Sequence, residues 1–463
     1  MQTMETTDVQ SILDSQQAYF YTGETKSTDF RLRQLNTLEQ AIKAYEDRII
    51  EAMKADLGKP AFEAYLTEIG VLLMSLKDMK KKLPKWAEPK KVKGTIMQTG
   101  SKSMIYPEPY GTVLVIGPFN YPFQLLIEPL LGAMAAGNTA VLKPSEFTPN
   151  VAAVVRNMIA EYFDPSYITV VEGEKETTSA LIHAPFDYMF FTGSTPVGKI
   201  VMEAAAKNLT PVTLELGGKS PAIVDEDADL DKAAEKIIWG KCMNNGQTCI
   251  APDYVLVAEE MQTALVARLK TKIRDFYGDN PQVSPDLGRV VNDKHWQRLE
   301  KLLDSEKVVH GGRSDQTDLY IEPTLMTGVT MEDAVMQEEV FGPILPILTY
   351  RNLHDAVNIV RSFDKPLALY LFTNNPTVEE HILSTLSFGG GSVNDTILHL
   401  ANPNLPFGGV GSAGIGAYHG KASFDTFTHY KSILKNKSPF SPSVMYPPYK
   451  ESRLNAVRKW FSK

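Results

Sequence analysis

Three side chains in this sequence are suited to attack on a carbonyl carbon. Cys249, in MNNGQTC, follows small polar residues, whereas the other cysteine, Cys242, has apolar neighbours and fits an inert structural thiol. A thiolate at Cys249 would be the nucleophile, which requires an electropositive and partly open setting. Glu215 lies between apolar residues in VTLELGGKSP, where burial would raise its pKa and suit it to activating water. Asn120, in VIGPFNYPF, has an amide that could donate to the oxyanion formed by the attack.

Two further stretches have a weaker link to ligand binding. FFTGSTPVGK places Gly193 and Gly198 across a predicted strand-to-helix junction, where backbone N–H groups could hold a pyrophosphate. The spacing is not the GxGxxG fingerprint, so this stretch alone is a weak indication of a dinucleotide site. MQEEVFGPILPI places Glu338 and Glu339 directly before a Phe-Gly-Pro turn.

The elements that must position these residues alternate between strands and helices. Short apolar runs that end in Gly, Pro or a polar turn predict strands at 112–116, 139–144, 168–173 and 188–193. Helical spacing lies between them, at 124–136, 149–162 and 196–207. This alternation predicts βαβ units and a parallel sheet, with ligands at the carboxyl ends of the strands. A second α/β series begins near residue 221 and runs to about residue 390.

Other parts of the chain have a different pattern. Residues 28–57 have helical spacing closed by Gly58, and a second helix is predicted over about 61–82, ending in three lysines. Residues 94–110 indicate a hairpin-like excursion, and the last 50 residues are rich in Gly, Pro and aromatics without clear periodicity. Because there is no internal repeat and no low-complexity linker, we expect the domains to pack closely.

Length and composition limit the class of protein. A chain of 463 residues is expected to form two or three domains, and its net charge of −8 disfavours nucleic acid as the main partner. Two cysteines exclude a disulfide framework, and no CxxC or HxxxH spacing indicates a metal site. The first residues lack the basic and then apolar run of a signal peptide, and the apolar stretch 125–142 is interrupted by Glu128 and Pro129. We therefore expect a cytoplasmic protein without a membrane span.

Four motifs, LELGGKSP, NNGQTC, EEVFGP and PFGGVG, closely resemble the signature motifs of the aldehyde dehydrogenase superfamily and occur in the same order. The separation between Glu215 and Cys249 also matches the base-to-nucleophile separation of that family. The resemblance covers about residues 28–433, and MNNGQTCIAPDYV, VNDTILHL and YHGKASFDTFTH resemble the class 3, fatty-aldehyde-type branch. It implies an α/β fold with a Rossmann-type cofactor domain, a second α/β catalytic domain and a small oligomerisation β-extension.

The resemblance also implies a mechanism. Cys249 would add to an aldehyde, while Asn120 and the Cys249 N–H stabilise the oxyanion. The thiohemiacetal would pass hydride to NAD(P)+, leaving a thioester, and Glu215 would activate the water that releases the carboxylic acid. The expected substrates are medium- or long-chain aliphatic or aromatic aldehydes.

The cofactor contacts that the resemblance implies are made by Lys143, Glu146, Gly193, Ser194, Gly198, Glu339 and Phe341. The first two, from KPSE, would contact the adenosine ribose; the next three would line the pyrophosphate; the last two would position the nicotinamide ribose. Since Glu146 can bond both ribose hydroxyls and would repel a 2′-phosphate, NAD is favoured, with NADP possible. The sequence departs from the family at Phe119, where many members have Trp, and at Ser412-Ala413, where Asn-Ser is common.

Three alternative functions remain open at the level of the sequence. A coenzyme-A-acylating dehydrogenase would not need a water-activating base, so Glu215 counts against it. A non-redox thiol acyl-transfer enzyme would need a histidine partner for its thiol, and His399 is the candidate, although a structural role suits that residue better. A non-enzymatic protein on this fold is disfavoured because Cys249, Glu215 and Asn120 are all present.

The resemblance further implies a division of the chain and a homodimer. The cofactor domain is expected at 1–93 and 111–216, the catalytic domain at 217–390, the oligomerisation elements at 94–110 and 417–440, a return to the cofactor domain and active-site rim at 391–416, and a tail at 441–463. The apolar residues of KESRLNAVRKWFSK stand at helical spacing among basic ones. That pattern fits peripheral membrane contact, packing across a dimer or a frayed end, and the last two are favoured.

Overall fold

The fold is built around two mainly parallel sheets, as the alternating pattern predicted. The computed structural model describes residues 6–95, 98, 100–436 and 446–462. Parts of three predicted segments lie outside the described residues: 1–5 of the cofactor domain, 96, 97, 99 and 437–440 of the oligomerisation elements, and 441–445 and 463 of the tail. The predicted domain bounds themselves stay predictions.

The helices of the described ranges are α1 Thr6–Tyr21, α2 Thr28–Leu57, α3 Ala61–Ala64, α4 Val71–Trp86, α5 Gln124–Ala136, α6 Pro149–Tyr162, α7 Lys175–His183, α8 Thr195–Asn208, α9 Leu230–Cys242, α10 Gln262–Tyr277, α11 Asp293–Glu300, α12 Ala334–Gln337, α13 Leu353–Ser362, α14 Pro376–Thr385, α15 Lys421–Thr426 and α16 Glu451–Phe461. The strands are β1 Lys90–Val92, β2 Ser101–Pro109, β3 Thr112–Ile116, β4 Thr139–Lys143, β5 Ile168–Val170, β6 Tyr188–Thr192, β7 Val212–Glu215, β8 Pro221–Val224, β9 Tyr254–Ala258, β10 Val308–His310, β11 Ser314–Asp315, β12 Tyr320–Ile321, β13 Thr324–Met326, β14 Ile344–Tyr350, β15 Ala368–Phe372, β16 Gly390–Val393, β17 Gly414–Ile415 and β18 Thr428–Asn436.

The first sheet has six strands in the order β17-β7-β6-β3-β4-β5. All pairs are parallel except β17 with β7, where Gly414 lies opposite Glu215. Every residue of β3, β4 and β6 is buried, as expected for strands covered by helices on both faces. A short return of the chain near residue 414 therefore completes this sheet beside the end of β7.

The second sheet has seven strands in the order β10-β13-β14-β9-β8-β15-β16. Only β10 is antiparallel to its neighbour. One cluster of buried apolar residues includes Val115 and Phe190 from the first sheet and Val255 and Tyr370 from the second. The two sheets thus share a continuous core, which agrees with the close packing expected from the sequence.

A third sheet is formed by β1, β2 and β18, all antiparallel. The pairing of β2 with β18 extends over nine residues, from Thr428 opposite Pro109 to Asn436 opposite Ser101. The hairpin-like excursion predicted near residues 94–110 therefore corresponds to the pair of β1 and β2. The chain after residue 417 returns to this pair, because β18 lies beside β2. Among the described residues β18 pairs only with β2, so one edge of β18 has no described strand beside it.

Three features of the N-terminal region differ from the prediction. The helix expected to end at Lys80–Lys82 continues to Trp86, because the buried stripe of Leu76, Met79 and Leu83 runs past the lysines. Between α3 and α4 the helix also contains a π-helical turn, Tyr65–Gly70. Helix α1 was not predicted, although it buries Val9 and Leu13 against the first sheet.

The predicted amphipathic tail forms α16, whose Leu454 and Phe461 are exposed. Among the helices of the described ranges, none is both long and apolar enough to cross a membrane.

Candidate active site

Four of the predicted site residues are brought together by the carboxyl ends of neighbouring strands in the first sheet. Asn120 follows β3, Lys143 ends β4, Gly193 follows β6 and Glu215 ends β7. The Gly193 N–H donates to the Glu215 carbonyl at 3.0 Å, so the ends of β6 and β7 are tied together. This is the edge at which the parallel-sheet prediction placed the ligands.

Cys249 reaches this edge from a tight loop after α9. Asn244 and Asn245 both have left-handed backbone (φ 51° and 54°), and Gly246 follows with φ 77°. A Cβ at position 246 would lie 2.2 Å from the Gly342 carbonyl oxygen, so only glycine fits there. Because non-glycine residues rarely adopt this conformation, the loop before Cys249 is strained locally and must be held by its surroundings.

Cys249 lines a cavity of about 820 Å³, including the solvent at its open mouth. Thr248, Tyr121 and Tyr418 lie beside the thiol, and Leu66 and Leu398 are among the partly exposed residues that also line the cavity. Most of its lining side chains are apolar. The cavity therefore suits an extended apolar molecule whose reactive end reaches Cys249.

The electrostatic surroundings of Cys249 differ from the expectation. The thiol is only partly accessible, as predicted, but burial raises its pKa, and the Glu339 and Glu215 carboxylates raise it further. No cationic side chain is among the described groups that shift the pKa of Cys249, so the electropositive setting expected for a thiolate is limited to the backbone N–H groups of Cys249 and Ile250, which lower this pKa. Burial and the two carboxylates outweigh them and favour the neutral thiol.

Glu215 has the properties predicted for a general base. It is 2% exposed, and neither carboxylate oxygen has a hydrogen-bond partner within the described part of the chain. Burial raises the pKa of Glu215 well above its ordinary value. A carboxyl group with free acceptor oxygens and a raised pKa is suited to taking a proton from water.

Asn120 is held through its backbone rather than through its amide. Its carbonyl oxygen accepts from Lys59 Nζ at 3.2 Å and from Asn244 Nδ2 at 2.7 Å. The residue is 3% exposed, and its side-chain amide donates to no other residue in the described ranges. The main chain is thus fixed while the amide stays available for a ligand.

The residues expected at the adenosine ribose form one group. Lys143 Nζ donates to Glu146 Oε2 at 3.2 Å and to the Pro144 carbonyl at 2.8 Å. Burial lowers the pKa of Lys143, and the Glu146 carboxylate partly offsets this effect. The side chain of Glu146 is 32% exposed, so its carboxylate remains accessible to ribose hydroxyls.

The residues expected at the pyrophosphate lie where β6 meets α8. Ser194 is the N-cap of α8 and makes no side-chain capping bond, so the first-turn N–H groups are open to an anion. Gly198, in the first turn, packs against Leu216, since a Cβ there would lie 2.6 Å from Leu216 Cδ2. Gly198 therefore acts by letting the helix approach the end of β7. Together with the Lys143–Glu146 group, this edge fits a dinucleotide.

Glu339 and Phe341 approach the site from the second sheet. The Gly218 N–H donates to the Glu339 carboxylate, and burial, followed by the charge of Asp253, raises the pKa of Glu339 to about 8. Phe341 has left-handed backbone (φ 49°), and its ring packs edge-on to Phe119 at 5.7 Å. Phe119, the residue that differs from the Trp of many family members, thus lies beside the residue expected to position the nicotinamide ribose. The roles assigned to all these residues stay predictions.

His399, the candidate partner of a non-redox thiol, does not line the cavity of Cys249. Its ring stacks on Phe407, and burial lowers its pKa to about 4. Cys242 is 2% exposed, and burial raises its pKa, as expected for a structural thiol.

Sequence reasoning missed the roles of the residues that surround Asn120, namely Lys59, Glu63, Glu68, Tyr121 and Asn244, all of them buried except the half-buried Glu63. Only Asn244 lies in one of the family motifs, NNGQTC, and that motif does not reveal its contact with Asn120. The one signal in the sequence was the presence of two carboxylates, Glu63 and Glu68, in the first turns of the amphipathic helix predicted at about 61–82.

Comparison with known proteins identifies the family. The sequence pattern of the family described as "Aldehyde dehydrogenase family" matches residues 1–433. The chain is 55% identical over 443 residues to the 4,4'-diaponeurosporen-aldehyde dehydrogenase of Staphylococcus aureus (strain NCTC 8325 / PS 47), covering 95% of this chain and 96% of the relative. It is 47% identical over 431 residues to the dimeric NADP-preferring aldehyde dehydrogenase of Rattus norvegicus, covering 93% and 95%.

The fold is similar to solved structures as well. The structure described as the substrate-bound state of Staphylococcus aureus AldH superposes with a TM-score of 0.96 at 53% identity, covering 98% of this chain and 99% of that one. The prediction of the class 3 branch is also confirmed, because the chain is 44% identical over 438 residues to aldehyde dehydrogenase family 3 member A2 of Rattus norvegicus, covering 94% of this chain and 90% of the relative. This chain belongs to the aldehyde dehydrogenase family.

Proposed function

We propose that the protein oxidises aldehydes to carboxylic acids with NAD(P)+, through a covalent intermediate on Cys249. The observation that carries this proposal is that Cys249 lines a mainly apolar cavity, while the Glu215 carboxyl group, whose oxygens are free acceptors among the described residues, is close enough to raise the pKa of the thiol. Membership of the aldehyde dehydrogenase family supports the same chemistry.

Each chemical step has a residue placed to perform it. The Cys249 thiol gives up its proton to solvent water at the open mouth of the cavity as its sulfur bonds to the carbonyl carbon and the C=O π bond breaks. The oxyanion so formed accepts hydrogen bonds from the Asn120 amide and the Cys249 N–H. NAD(P)+, when bound, supplies the hydride acceptor that makes the oxidation possible. Glu215 takes a proton from water as the water attacks the thioester carbonyl, the C–S bond breaks, and the acid leaves with the thiol regenerated.

Both forms of the cofactor are proposed, with NAD favoured. The accessible Glu146 carboxylate suits two ribose hydroxyls and opposes a 2′-phosphate. The rat relative is named NADP-preferring, and a structure described as the NAD+ complex of an aldehyde dehydrogenase from Bacillus cereus has a TM-score of 0.85 at 26% identity. The family therefore uses either dinucleotide.

The substrate class follows from the cavity. Because its lining is mainly apolar, each buried methylene of a substrate should contribute about 0.8 kcal/mol to binding. Medium- or long-chain aliphatic aldehydes, or aromatic ones, fit this environment best. The S. aureus relative is named as a 4,4'-diaponeurosporen-aldehyde dehydrogenase, which agrees with an aldehyde as the substrate.

We also propose a homodimer located in the cytoplasm. Within the described part of the chain, β18 and β16 are edge strands of their sheets, and strand addition between subunits would cover these edges. The name of the rat relative includes the word dimeric. Light scattering in solution would test the proposed dimer.

Formation of reduced cofactor tests the proposed activity. NAD+ and NADP+ would be offered separately with aldehydes from acetaldehyde to long-chain aliphatics and benzaldehyde, without coenzyme A. We expect turnover that Cys249→Ala abolishes and that Cys242→Ala, at the buried second thiol, preserves. A requirement for coenzyme A would favour the acylating alternative, and folded protein without turnover on any aldehyde would refute the proposal.

A further inference from the structure

We propose that the buried ion pair between Lys59 and Glu68 positions Asn120 for carbonyl attack, so that Lys59 is a positioning residue of the reaction. This inference rests on the proposed function. Neither residue belongs to the motifs that identify the family, and neither side chain lines the substrate cavity.

The first observation is the clamp on the Asn120 peptide. Two side-chain donors, Lys59 Nζ at 3.2 Å and Asn244 Nδ2 at 2.7 Å, point at its carbonyl oxygen. A peptide oxygen with two donors on it cannot rotate without losing both bonds. The Cα–Cβ direction of Asn120, and with it the reach of the amide, is set by that peptide.

The second observation is how Lys59 is itself held. Lys59 Nζ and Glu68 Oε1 are in direct contact, and both side chains are completely buried. Glu68 Oε2 accepts from the N–H groups of Phe123 at 3.0 Å and Gln124 at 3.2 Å. The Glu68 carboxylate therefore binds the backbone that begins three residues after Asn120, while Lys59 binds the carbonyl of Asn120 itself. The segment between these points has little freedom.

The third observation is a link to the nucleophile loop. Lys59 Nζ lies 4.3 Å from the centre of the Tyr121 ring, and the Tyr121 hydroxyl is 2.7 Å from Thr248 Oγ1, next to Cys249. Asn244 completes the link, because its N–H donates to Glu63 Oε1 at 2.7 Å. The same group of residues thus sets the distance between the oxyanion donor and the thiol.

Stability alone is a poor explanation for this ion pair. Removing two charges from water costs about as much as their attraction returns, and apolar replacements of similar volume are often as stable. What an apolar pair cannot do is donate to the Asn120 carbonyl and accept from Phe123 and Gln124. The geometry of the ion pair therefore fits a role in holding the Asn120 segment better than a role in stability.

The test uses the double variant Lys59→Met/Glu68→Gln, which removes both charges together and so leaves no unpaired buried ion. Since a displacement of about 1 Å can cost about 100-fold in rate, we expect a 10- to 100-fold loss of kcat/KM, carried by kcat, with unchanged NAD+ affinity. Glu128→Gln is the matched control, because Glu128 is an equally buried carboxyl in the neighbouring helix α5 and does not contact Asn120. It should retain wild-type kcat/KM.

A double-mutant cycle separates positioning from general disruption. Asn120→Ala alone should cost about 100- to 1000-fold, as for other oxyanion donors. In that background the Lys59→Met/Glu68→Gln change should cost less than about twofold more, because the group it positions is gone. The rate of Cys249 alkylation by iodoacetamide, which needs no oxyanion donor, should match the wild type.

The inference would be overturned if the losses of kcat/KM caused by Asn120→Ala and by Lys59→Met/Glu68→Gln multiplied in the combined variant. It would also be overturned if alkylation of Cys249 slowed in Lys59→Met/Glu68→Gln by as much as kcat/KM falls. Unchanged kcat/KM in Lys59→Met/Glu68→Gln would overturn it as well. Failure of the proposed function is a separate result, since wild-type protein would then give no reduced cofactor with any aldehyde.

Discussion

The Glu339 carboxylate occupies the space that a side chain at position 217 would need. A Cβ on Gly217 would lie 2.1 Å from Glu339 Oε2. Gly217 belongs to LELGGK and Glu339 to EEVFGP, so two motifs far apart in the chain meet directly. The contact keeps a carboxyl group close enough to Cys249 to raise the pKa of the thiol.

This arrangement predicts a pH-dependent effect of Glu339→Gln on thiol reactivity. The pKa of Glu339 is raised to about 8, so its carboxylate is charged mainly above that pH and then opposes ionisation of Cys249. The variant removes the charge, and alkylation of Cys249 should become severalfold faster than in the wild type above pH 8, with a smaller difference below it. The measurement is the iodoacetamide rate from about pH 6 to pH 10.

Glu338→Gln is the matched control for that experiment. Glu338 is the preceding residue, its side chain is 55% exposed, and it pairs with Arg298. Its replacement should leave the alkylation profile unchanged. Equal profiles for Glu339→Gln and the wild type would contradict the electrostatic role given to Glu339.

Glu215→Gln should separate the two halves of the reaction. Because the amide cannot accept the proton of water, steady-state turnover should fall by about 100- to 10,000-fold, while one equivalent of reduced cofactor still forms rapidly. Intact-mass spectrometry should then detect an acyl group on Cys249. In the wild type, hydrolysis should slow as pH falls through the raised pKa of Glu215, since the protonated form is inactive as a base. Absence of both burst and acyl adduct would exclude the assigned role.

Glu128 provides a prediction about stability. It is buried in α5 with Oε1 unpaired, and burial raises its pKa from 4.5 to about 8. The unfolded chain therefore releases this proton at lower pH than the folded one. The favourable contribution is complete below about pH 4.5 and is lost as pH rises toward 8, by at most about 1.4 kcal/mol per pH unit.

Glu128→Gln cannot titrate, so its free energy of unfolding should rise relative to the wild type between pH 5 and pH 8. Denaturant unfolding at the two pH values measures this difference. Exposed Glu88→Gln should show the same pH dependence as the wild type. A constant difference between Glu128→Gln and the wild type would mean that Glu128 is not buried as a neutral acid.

Chain-length preference should follow the cavity. A buried methylene at about 0.8 kcal/mol corresponds to roughly fourfold in kcat/KM, so activity should rise with aldehyde length until the cavity is full. Ala401 lines the cavity, and Ala401→Trp should reduce activity on long aldehydes far more than on acetaldehyde. Leu405→Trp, at a site 48% exposed four residues later, is the control. A uniform loss across all lengths would show that Ala401 does not limit the substrate.

The sequence allowed the strand ends to be predicted well, because apolar runs that stop at Gly or Pro mark them clearly. Asn120, Lys143, Gly193 and Glu215 were each placed after such a run, and the first sheet brings them to one edge. The prediction of where α4 ends was wrong, because the run of lysines at 80–82 drew attention away from the buried apolar stripe that continues to Leu83.

Other properties of the site depend on contacts that no linear pattern contains. The pKa of Cys249 is raised by burial and then by the carboxylate of Glu339, ninety residues away in the chain. The carbonyl of Asn120 is held by Lys59 and Asn244, which lie on either side of it in the chain. Motifs identify the reacting residues, whereas the groups that hold them are defined only once the chain is folded.

The π-helical turn Tyr65–Gly70 has a consequence for how the length of this segment can vary among related chains. A π turn accommodates one residue more than an α turn, and here it orients Glu68 inward while Leu66 and Thr67 line the cavity. Deleting a single residue would restore a regular α turn and leave the flanking helices in their relative orientation, but side chains within the turn, Leu66 to Glu68 among them, would change direction by up to about 100°. We therefore expect alignments of functional homologues to show substitutions at Leu66 and Thr67 as substrates change, but no insertions or deletions between residues 59 and 71.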